Sequence, residues 1–425
     1  MAKNDSPLVF DETGTIVIGC DESASNVIIP GRVKHISYCA FRECASLVSI
    51  MVAEDNPCFT SVDGVLFDKE KKRIVKFPAG KKAKTYSIPE GVTSIDYFAF
   101  CKCISLVTIK IPNSVTSIGP CAFCDCTSLI TIEIPNSVTC ISEYEFFNCS
   151  SLTMVEIPDS VSRIENYAFE CCSSLTTIEI PDSVTKIGNA AFDDCSSLTT
   201  VEIPDSVTEI GASAFSGCTS LTTIKIPNGV TEIGSSAFSG CTSLTTIKIP
   251  NGVTEIGGNA FGHCTSLTTV EIPDGVTVIG EYAFSGCTSL TTIKIPNSVS
   301  IIGAIAFAEC PSLASIMVAE DNPNFTFADG ILFDKEKKTL LAYLKGKETK
   351  TYSIPNSVTC IDDGAFYNCT SLVSINIPDS VRRIGHLAFW GCTSLTKIEL
   401  PNSLEYIGDN AFDTGDSLIR GLFGY

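Results

Sequence analysis

A phenylalanine recurs every 23 residues through the middle of the chain. A fixed period of this length is typical of one structural unit stacked on itself, so the chain is predicted to form a solenoid and not a domain around one central core. Four further units, around Phe41, Phe366, Phe389 and Phe412, bring the total to fourteen. The ten phenylalanines of the regular series are Phe100, Phe123, Phe146, Phe169, Phe192, Phe215, Phe238, Phe261, Phe284 and Phe307.

The unit that begins at Leu221 illustrates the predicted course of each coil. Partly alternating apolar residues predict a short strand, which Pro227 ends because proline has no N–H to give to a sheet. A second short extended stretch leads to a turn at Gly234, and about one helical turn around Phe238 completes the coil. The predicted inward-facing residues of this unit are Leu221, Ile224, Ile226, Val230, Ile233, Ala237, Phe238 and Cys241.

Thirteen of the 22 cysteines occupy one repeat position, three residues after the phenylalanine. An odd-numbered column of equivalent residues cannot all pair with itself, and a small thiol suits a tight buried turn. We therefore expect free, buried thiols, which favour a reducing setting, and not a disulfide scaffold. This cysteine column consists of Cys44, Cys103, Cys126, Cys149, Cys172, Cys195, Cys218, Cys241, Cys264, Cys287, Cys310, Cys369 and Cys392.

The pattern Leu-x-x-Ile-x-Ile-Pro-x-x-Val-x-x-Ile-Gly-x-x-Ala-Phe-x-x-Cys, shared by units between about residues 27 and 413, resembles the BspA-like leucine-rich repeat family. With the repeat pattern, the resemblance predicts an α/β repeat protein: a right-handed solenoid with a long parallel β-sheet, short strands and one-turn helices on the other faces. It also implies a non-catalytic protein-binding scaffold, with adhesion or binding to host or matrix proteins at the cell surface or after secretion. Because no signal peptide or anchor is visible, a cytoplasmic protein-interaction or effector module is the alternative.

The predicted organisation is an N-terminal cap at residues 1–35, a single solenoid at 36–412 and a C-terminal cap at 413–425. Two spacings between phenylalanines are 59 residues instead of 23, and each holds a related insert, at about 51–86 and 317–352. Each insert is predicted to form an enlarged coil with a protruding hairpin and a charged turn.

The first insert is rich in cations and is a candidate docking site for an acidic partner. The alternative is a solubilised hairpin tip that protects a sheet edge from aggregation. The candidate binding residues of this basic hairpin are Lys69, Lys71, Lys72 and Arg73, and Lys76, Lys81, Lys82 and Lys84 extend the same basic patch.

The position between the two strand isoleucines is predicted to face outward, and solenoids use such extended faces to bind proteins. An acidic block of four residues is followed along the chain by a mostly basic one. The alternative is that threonine and mixed charge simply make a soluble sheet. The candidate binding residues of this strand face are Lys110, Glu133, Glu156, Glu179, Glu202, Lys225, Lys248, Glu271 and Lys294.

The composition points away from several other functions. A net charge of −19 and a pI near 4.6 argue against nucleic-acid partners, and no apolar run reaches the roughly 20 residues of a membrane span. The three histidines fall at different repeat positions and no phosphate-binding loop occurs, so neither catalytic residues nor a cofactor is predicted. Another protein is the expected partner of a monomeric chain, and an enzyme is a remote alternative.

A cluster of cysteines raises the question of a metal. Cys101, Cys103, Cys121, Cys124 and Cys126 lie within 26 residues, and zinc accepts four thiolates. Two of the five belong to the buried cysteine column, and Cys101 and Cys124 are expected to face elsewhere. No metal is therefore predicted, and a zinc-binding or redox protein is a remote alternative.

Overall fold

The protein is described by a computed structural model that covers residues 6–344 and 349–412. It falls into two compact units that divide between Leu221 and Thr222, called unit 1 and unit 2 below. Within each unit, short strands of successive coils pair in parallel, and the predicted β-solenoid is confirmed. The predicted C-terminal cap lies outside the described residues.

In unit 1 the strands of the regular coils form two rows. The first row, which ends just before the repeat proline, comprises Thr85–Ser87, Thr108–Lys110, Thr131–Glu133, Met154–Glu156, Thr177–Glu179 and Thr200–Glu202. The second row comprises Ser94–Ile95, Ser117–Ile118, Cys140–Ile141, Arg163–Ile164, Lys186–Ile187 and Glu209–Ile210.

Unit 2 repeats the two rows. Its first row comprises Thr223–Lys225, Thr246–Lys248, Thr269–Glu271, Thr292–Ile295, Ser315–Val318, Thr351–Ser353, Ser374–Asn376 and Lys397–Glu399. Its second row comprises Glu232–Ile233, Glu255–Ile256, Val278–Ile279, Ile301–Ile302, Cys360–Ile361, Arg383–Ile384 and Tyr406–Ile407.

The parallel pairing is in register with the 23-residue period. Thr177 is aligned with Thr200 and Ile178 with Val201, so equivalent side chains of neighbouring coils lie next to each other. In strands such as Thr177–Glu179 and Thr200–Glu202 the middle residue is buried and its two neighbours point to the other face, as the twofold alternation of a strand requires.

The inserts add strands to this plan. In unit 1 they are Phe59–Val62, Val65–Asp68 and Arg73–Lys76, joined as antiparallel neighbours. The last of them pairs in parallel with Ser94–Ile95, so the hairpin continues the second row of the sheet instead of projecting from it. The equivalent strands of unit 2 are Phe325–Ala328, Ile331–Asp334 and Thr339–Tyr343.

The region before the first regular coil also contributes strands. Leu8–Phe10 pairs antiparallel with Ile16–Cys20, which pairs in parallel with His35–Ile36. Asn26–Ile29 pairs in parallel with Ser49–Val52. Buried Leu8, Val17 and Val27 form a core that continues to Phe41, so this segment covers the apolar side of the first coil.

The prediction of one-turn helices is wrong, because residues 6–344 and 349–412 contain only strands and turns. In each regular coil, the residue two positions before the phenylalanine and the residue two positions after it adopt left-handed backbone. Around Phe146 these are Tyr144, with φ 55°, and Asn148, with φ 54°. Such residues interrupt a right-handed helix. The Phe146 N–H instead donates to the Ala168 carbonyl of the next coil at 2.8 Å, so bonding between coils replaces bonding within a helix.

The core consists of two aligned columns of side chains. Between Phe77 and Phe215, successive phenylalanine rings stack with centroids 5.2–5.5 Å apart, and this spacing follows the distance between coils. The cysteine column lies beside this stack. The Cys172 thiol donates to the Phe146 carbonyl of the preceding coil at 3.2 Å, and the same contact recurs along each unit.

That contact explains why cysteine suits the position. A thiol is small and apolar enough for the interior, yet it supplies a weak second donor to a backbone carbonyl that already accepts one N–H, as the Phe146 oxygen accepts that of Cys149 at 3.1 Å. Twelve of the thirteen column cysteines are buried, and Cys369 is partly exposed. All 22 cysteines are free.

Candidate protein-binding faces

The acidic part of the strand face lies in unit 1. Glu133, Glu156, Glu179 and Glu202 are all exposed, and each is aligned in the sheet with the next. Lys110, on the strand before Glu133, is exposed as well. None of the four carboxylates forms an ion pair within the described part of the chain. Like charges directly opposite each other destabilise a sheet, so this acidic row is a local electrostatic cost.

The strand face of unit 2 has a different charge order. Lys225 is aligned with Lys248, Lys248 with Glu271, and Glu271 with Lys294. All four side chains are exposed. Opposite charges as neighbours stabilise a sheet, so the charges of Lys248, Glu271 and Lys294 compensate one another within the sheet.

The basic hairpin of the first insert is exposed, but half of its candidate residues already have contacts. The Lys69 ammonium donates to the Asn56 carbonyl at 2.6 Å, and Arg73 pairs with Asp96 at 2.9 Å. Lys71 and Lys72 form no ion pair or side-chain hydrogen bond within the described residues. Of the four predicted residues, these two are the ones whose charge is not engaged by the protein itself.

Lys76 does not belong to the basic patch in which the sequence placed it. Its side chain is only 3% exposed. The ammonium donates to the carbonyl oxygens of Phe98, at 2.7 Å, and Cys101, at 3.4 Å. A lysine in a run of charged residues is usually solvated. Lys76, however, occupies an inward-facing position of its strand, and its side chain is buried.

The structure brings together part of the cysteine cluster. Cys101 and Cys124 are both buried, contrary to the expectation that they face away from the core, and their sulfur atoms are 2.8 Å apart. The Cys124 thiol donates to Cys101, which raises the pKa of Cys124 and lowers the pKa of Cys101. Together with Asp125 they offer three ligand atoms within 4.8 Å of one another, a donor set that fits a thiophilic cation such as zinc.

Sequence reasoning missed a cavity of about 290 Å³ in unit 2, between the coils of Phe307 and Phe366. The sequence contains one indication of this cavity, which is a difference between the two inserts. Ala342 stands in the second insert where Lys76 stands in the first. That difference could be interpreted only once Lys76 was known to point inward.

No helix within the described ranges is long and apolar enough to cross a membrane.

Comparison with known proteins agrees with the geometry. The family model described as "BspA type Leucine rich repeat region" matches residues 19–82, 75–199, 185–314 and 342–421. No curated protein matches the chain.

Among solved structures, a leucine-rich repeat protein from Eubacterium ventriosum is 28% identical, with a TM-score of 0.50; the match covers 54% of this chain and 63% of that protein. A leucine-rich repeat protein from Bacteroides ovatus is 26% identical, with a TM-score of 0.47 and coverage of 83% and 89%. A protein described as a leucine rich cell surface protein from Faecalibacterium prausnitzii is 29% identical, with a TM-score of 0.43 and coverage of 85% and 87%.

Proposed function

The chain belongs to the BspA-type leucine-rich repeat family, and from that premise we propose that it is a non-catalytic scaffold that binds another protein through its strand face. The finer proposal is adhesion: binding of a host or matrix protein at the cell surface or after secretion, as the family resemblance implies. The contacting residues are those of the acidic row in unit 1, with Lys71 and Lys72 of the basic hairpin as a second contact region.

The single observation that carries the proposal is the in-register row of Glu133, Glu156, Glu179 and Glu202. Four aligned carboxylates repel one another, and a basic partner surface would remove that repulsion on binding. A sheet under selection only for solubility gains nothing from such a row, since alternating charges as in unit 2 are equally soluble and less repulsive. The acidic row therefore favours a partner with a basic surface.

A charge-reversal experiment tests this interface. We expect cross-linked pull-down from host-cell surface and matrix extracts to capture a partner with the wild-type protein, and the capture to fall about tenfold or more when all four glutamates become lysine. Raising the salt concentration should weaken wild-type binding, because exposed charges are screened.

The matched control reverses four exposed carboxylates outside the row, Glu12, Glu143, Asp159 and Asp182. It changes the net charge by the same amount and should leave capture intact. Equal capture by the wild type and by the row variant would remove the acidic row from consideration.

The second candidate function is a cytoplasmic protein-interaction or effector module, which the 22 free thiols favour. The two candidates differ in location and not in surface chemistry. Labelling of intact native cells with a membrane-impermeant amine reagent separates them, because labelled protein supports the adhesin and protection until lysis supports the cytoplasmic module.

A further inference from the structure

The two inserts provide an internal comparison. Residues of the first insert and its flanking coils correspond to residues 266 positions later, as Phe41 corresponds to Phe307 and Phe100 to Phe366. In unit 2 the coils of Phe307 and Phe366 line the cavity of about 290 Å³, which is partly open to solvent. At the equivalent place in unit 1 the chain has larger side chains, and one of them, Lys76, is buried.

Three of these larger side chains lie close together in unit 1. The stem of buried Lys76 passes inward, and its ammonium is bound by the Phe98 and Cys101 carbonyls. The Arg42 guanidinium lies 5.2 Å from the centre of the Phe98 ring, and Tyr38 stacks near the same ring at 6.5 Å. The site therefore holds a cation on an apolar stem next to aromatic rings.

In unit 2 each of these large residues is replaced by a small one. Tyr38, Arg42, Lys76 and Phe98 correspond to Ala304, Ala308, Ala342 and Gly364. All four replacements line the cavity. Ile305, which corresponds to exposed Cys39, occupies part of this space: a Cβ atom on Gly364 would lie 2.2 Å from the Cγ1 atom of Ile305. The rest of the lost volume remains open.

The charge balance changes in the same direction. Four cations of unit 1, Arg42, Arg73, Lys76 and Lys102, correspond to Ala308, Thr339, Ala342 and Asn368. The two carboxylates that accompany them, Glu43 and Asp96, are kept as Glu309 and Asp362. Both line the cavity, so unit 2 retains the negative groups and has uncharged residues at the four positions of these cations.

Hydrogen-bond acceptors for a cation are also in place. The carbonyl oxygens that bind Lys76 in unit 1 correspond to those of Gly364 and Tyr367. The Gly364 oxygen accepts the Tyr367 N–H at 2.9 Å, as the Phe98 oxygen accepts the Cys101 N–H, and each carbonyl oxygen has a second lone pair. Buried Tyr343 also lines the cavity, and Thr349 is the neighbour whose side chain interacts with its hydroxyl.

We propose that this cavity binds a primary ammonium group carried on a short apolar stem. The ammonium replaces that of Lys76, with the Gly364 and Tyr367 carbonyls as acceptors and Asp362 as the counter-charge, while the stem packs against Leu341 and Leu344. Buried cations need paired acceptors, and the described residues of unit 2 offer those acceptors with an alanine, Ala342, at the position of Lys76. A free aliphatic amine and a lysine side chain of a partner protein share this chemistry.

The first test compares matched ligands on the wild-type full-length protein. We expect calorimetric titration to show binding of n-pentylammonium, and n-pentanol, which has the same stem without the charge, to bind at least about tenfold more weakly. Asp362→Asn should weaken n-pentylammonium about tenfold. Binding should also slow alkylation of Cys369, the partly exposed column cysteine that lines the cavity.

A lysine analogue distinguishes the two sources. Binding of Nα-acetyl-lysine methylamide as tightly as n-pentylammonium indicates a partner's lysine, whereas binding of the free amine alone indicates a small-molecule ligand. Equal affinity for n-pentanol and n-pentylammonium would overturn the proposal, because the cavity would then recognise only apolar volume.

The second test needs no added ligand. Ala342→Lys restores the internal cation of unit 1, so it should raise the midpoint of thermal unfolding and abolish n-pentylammonium binding. Ala342→Met fills a similar volume without charge and should raise the midpoint less. If Ala342→Lys melts below Ala342→Met, the cavity does not stabilise a cation and the proposal fails.

Discussion

Glu145 shows how one residue can depart from the repeat and change the behaviour of its coil. It stands directly before Phe146, where neighbouring coils have Ala122 and Ala168, and it is fully buried. One carboxylate oxygen accepts the Ser142 N–H at 2.7 Å, and the other has no partner within the described residues. Burial raises the pKa of this carboxyl from 4.5 to about 8.

Replacing Glu145 with alanine should therefore stabilise the protein most at alkaline pH. With its pKa raised, the folded state keeps a proton that the unfolded state releases, so the free energy of unfolding falls as the pH rises from about 4.5 to about 8. At pH 9 we expect Glu145→Ala to raise that free energy by about 3–5 kcal/mol relative to wild type. At pH 4 most of this pH-dependent gain should be absent. Denaturant titration at the two pH values measures the difference.

The exposed neighbour Glu143 provides the control. Glu143→Ala should change the free energy of unfolding by less than about 0.5 kcal/mol. A gain from Glu145→Ala that is the same at pH 4 and pH 9 would show that the buried carboxyl does not titrate as proposed.

At the scale of the elements, buried asparagines hold the inserts to the coils before them. Asn56 is 1% exposed; its amide donates to the carbonyls of Pro30, at 2.8 Å, and Val33, at 3.0 Å. Its oxygen accepts the N–H groups of Cys58 and Phe59, both at 2.8 Å. Asn322 makes the equivalent set of contacts in unit 2.

Asn56→Ala should destabilise unit 1 by about 2–4 kcal/mol, because it removes four hydrogen bonds to backbone groups, two of them buried. Asn322→Ala should have a similar effect in unit 2, and exposed Asn113→Ala serves as the control. Hydrogen exchange read by mass spectrometry locates the loss, which should appear first in strands Asn26–Ile29 and Phe59–Val62 for the Asn56 variant. Unchanged protection there would show that the asparagine is not what anchors the insert.

The elements also show what sequence can and cannot predict here. Periods of 23 and 2 predicted the coils, the parallel strands and the buried Phe–Cys columns, because each depends on which side chains face inward. The turns were mispredicted as helices, since left-handed backbone falls on residues such as Tyr144 and Ile305, which carry no glycine-like signal. The inward orientation of the Lys76 side chain depends on contacts with residues more than 20 positions away, which local sequence patterns do not predict. The cavity could not be predicted for the same reason.

For the whole molecule, the same stacking that forms the sheets determines the state of its thiols. Twelve column cysteines are buried in the described structure, with thiols such as that of Cys195 bound to a backbone carbonyl, whereas Cys39 is exposed. Burial also raises the pKa of Cys195, which leaves little of the reactive thiolate. The twelve buried column thiols, taken alone, therefore need no reducing compartment, because an oxidant in the surroundings has no access to them, whereas the exposed and partly exposed thiols still favour one.

Thiol labelling tests this view of the molecule. In aerobic buffer we expect iodoacetamide to modify Cys39 readily and the buried column cysteines about a hundredfold more slowly, since labelling would require a coil to open at a cost of about 3 kcal/mol. In denaturant all 22 cysteines should react, and peptide mass spectrometry assigns each site. Column cysteines that react as fast as Cys39 in the folded protein would contradict the closed stack, and the column thiols would then also favour a reducing compartment over the cell surface.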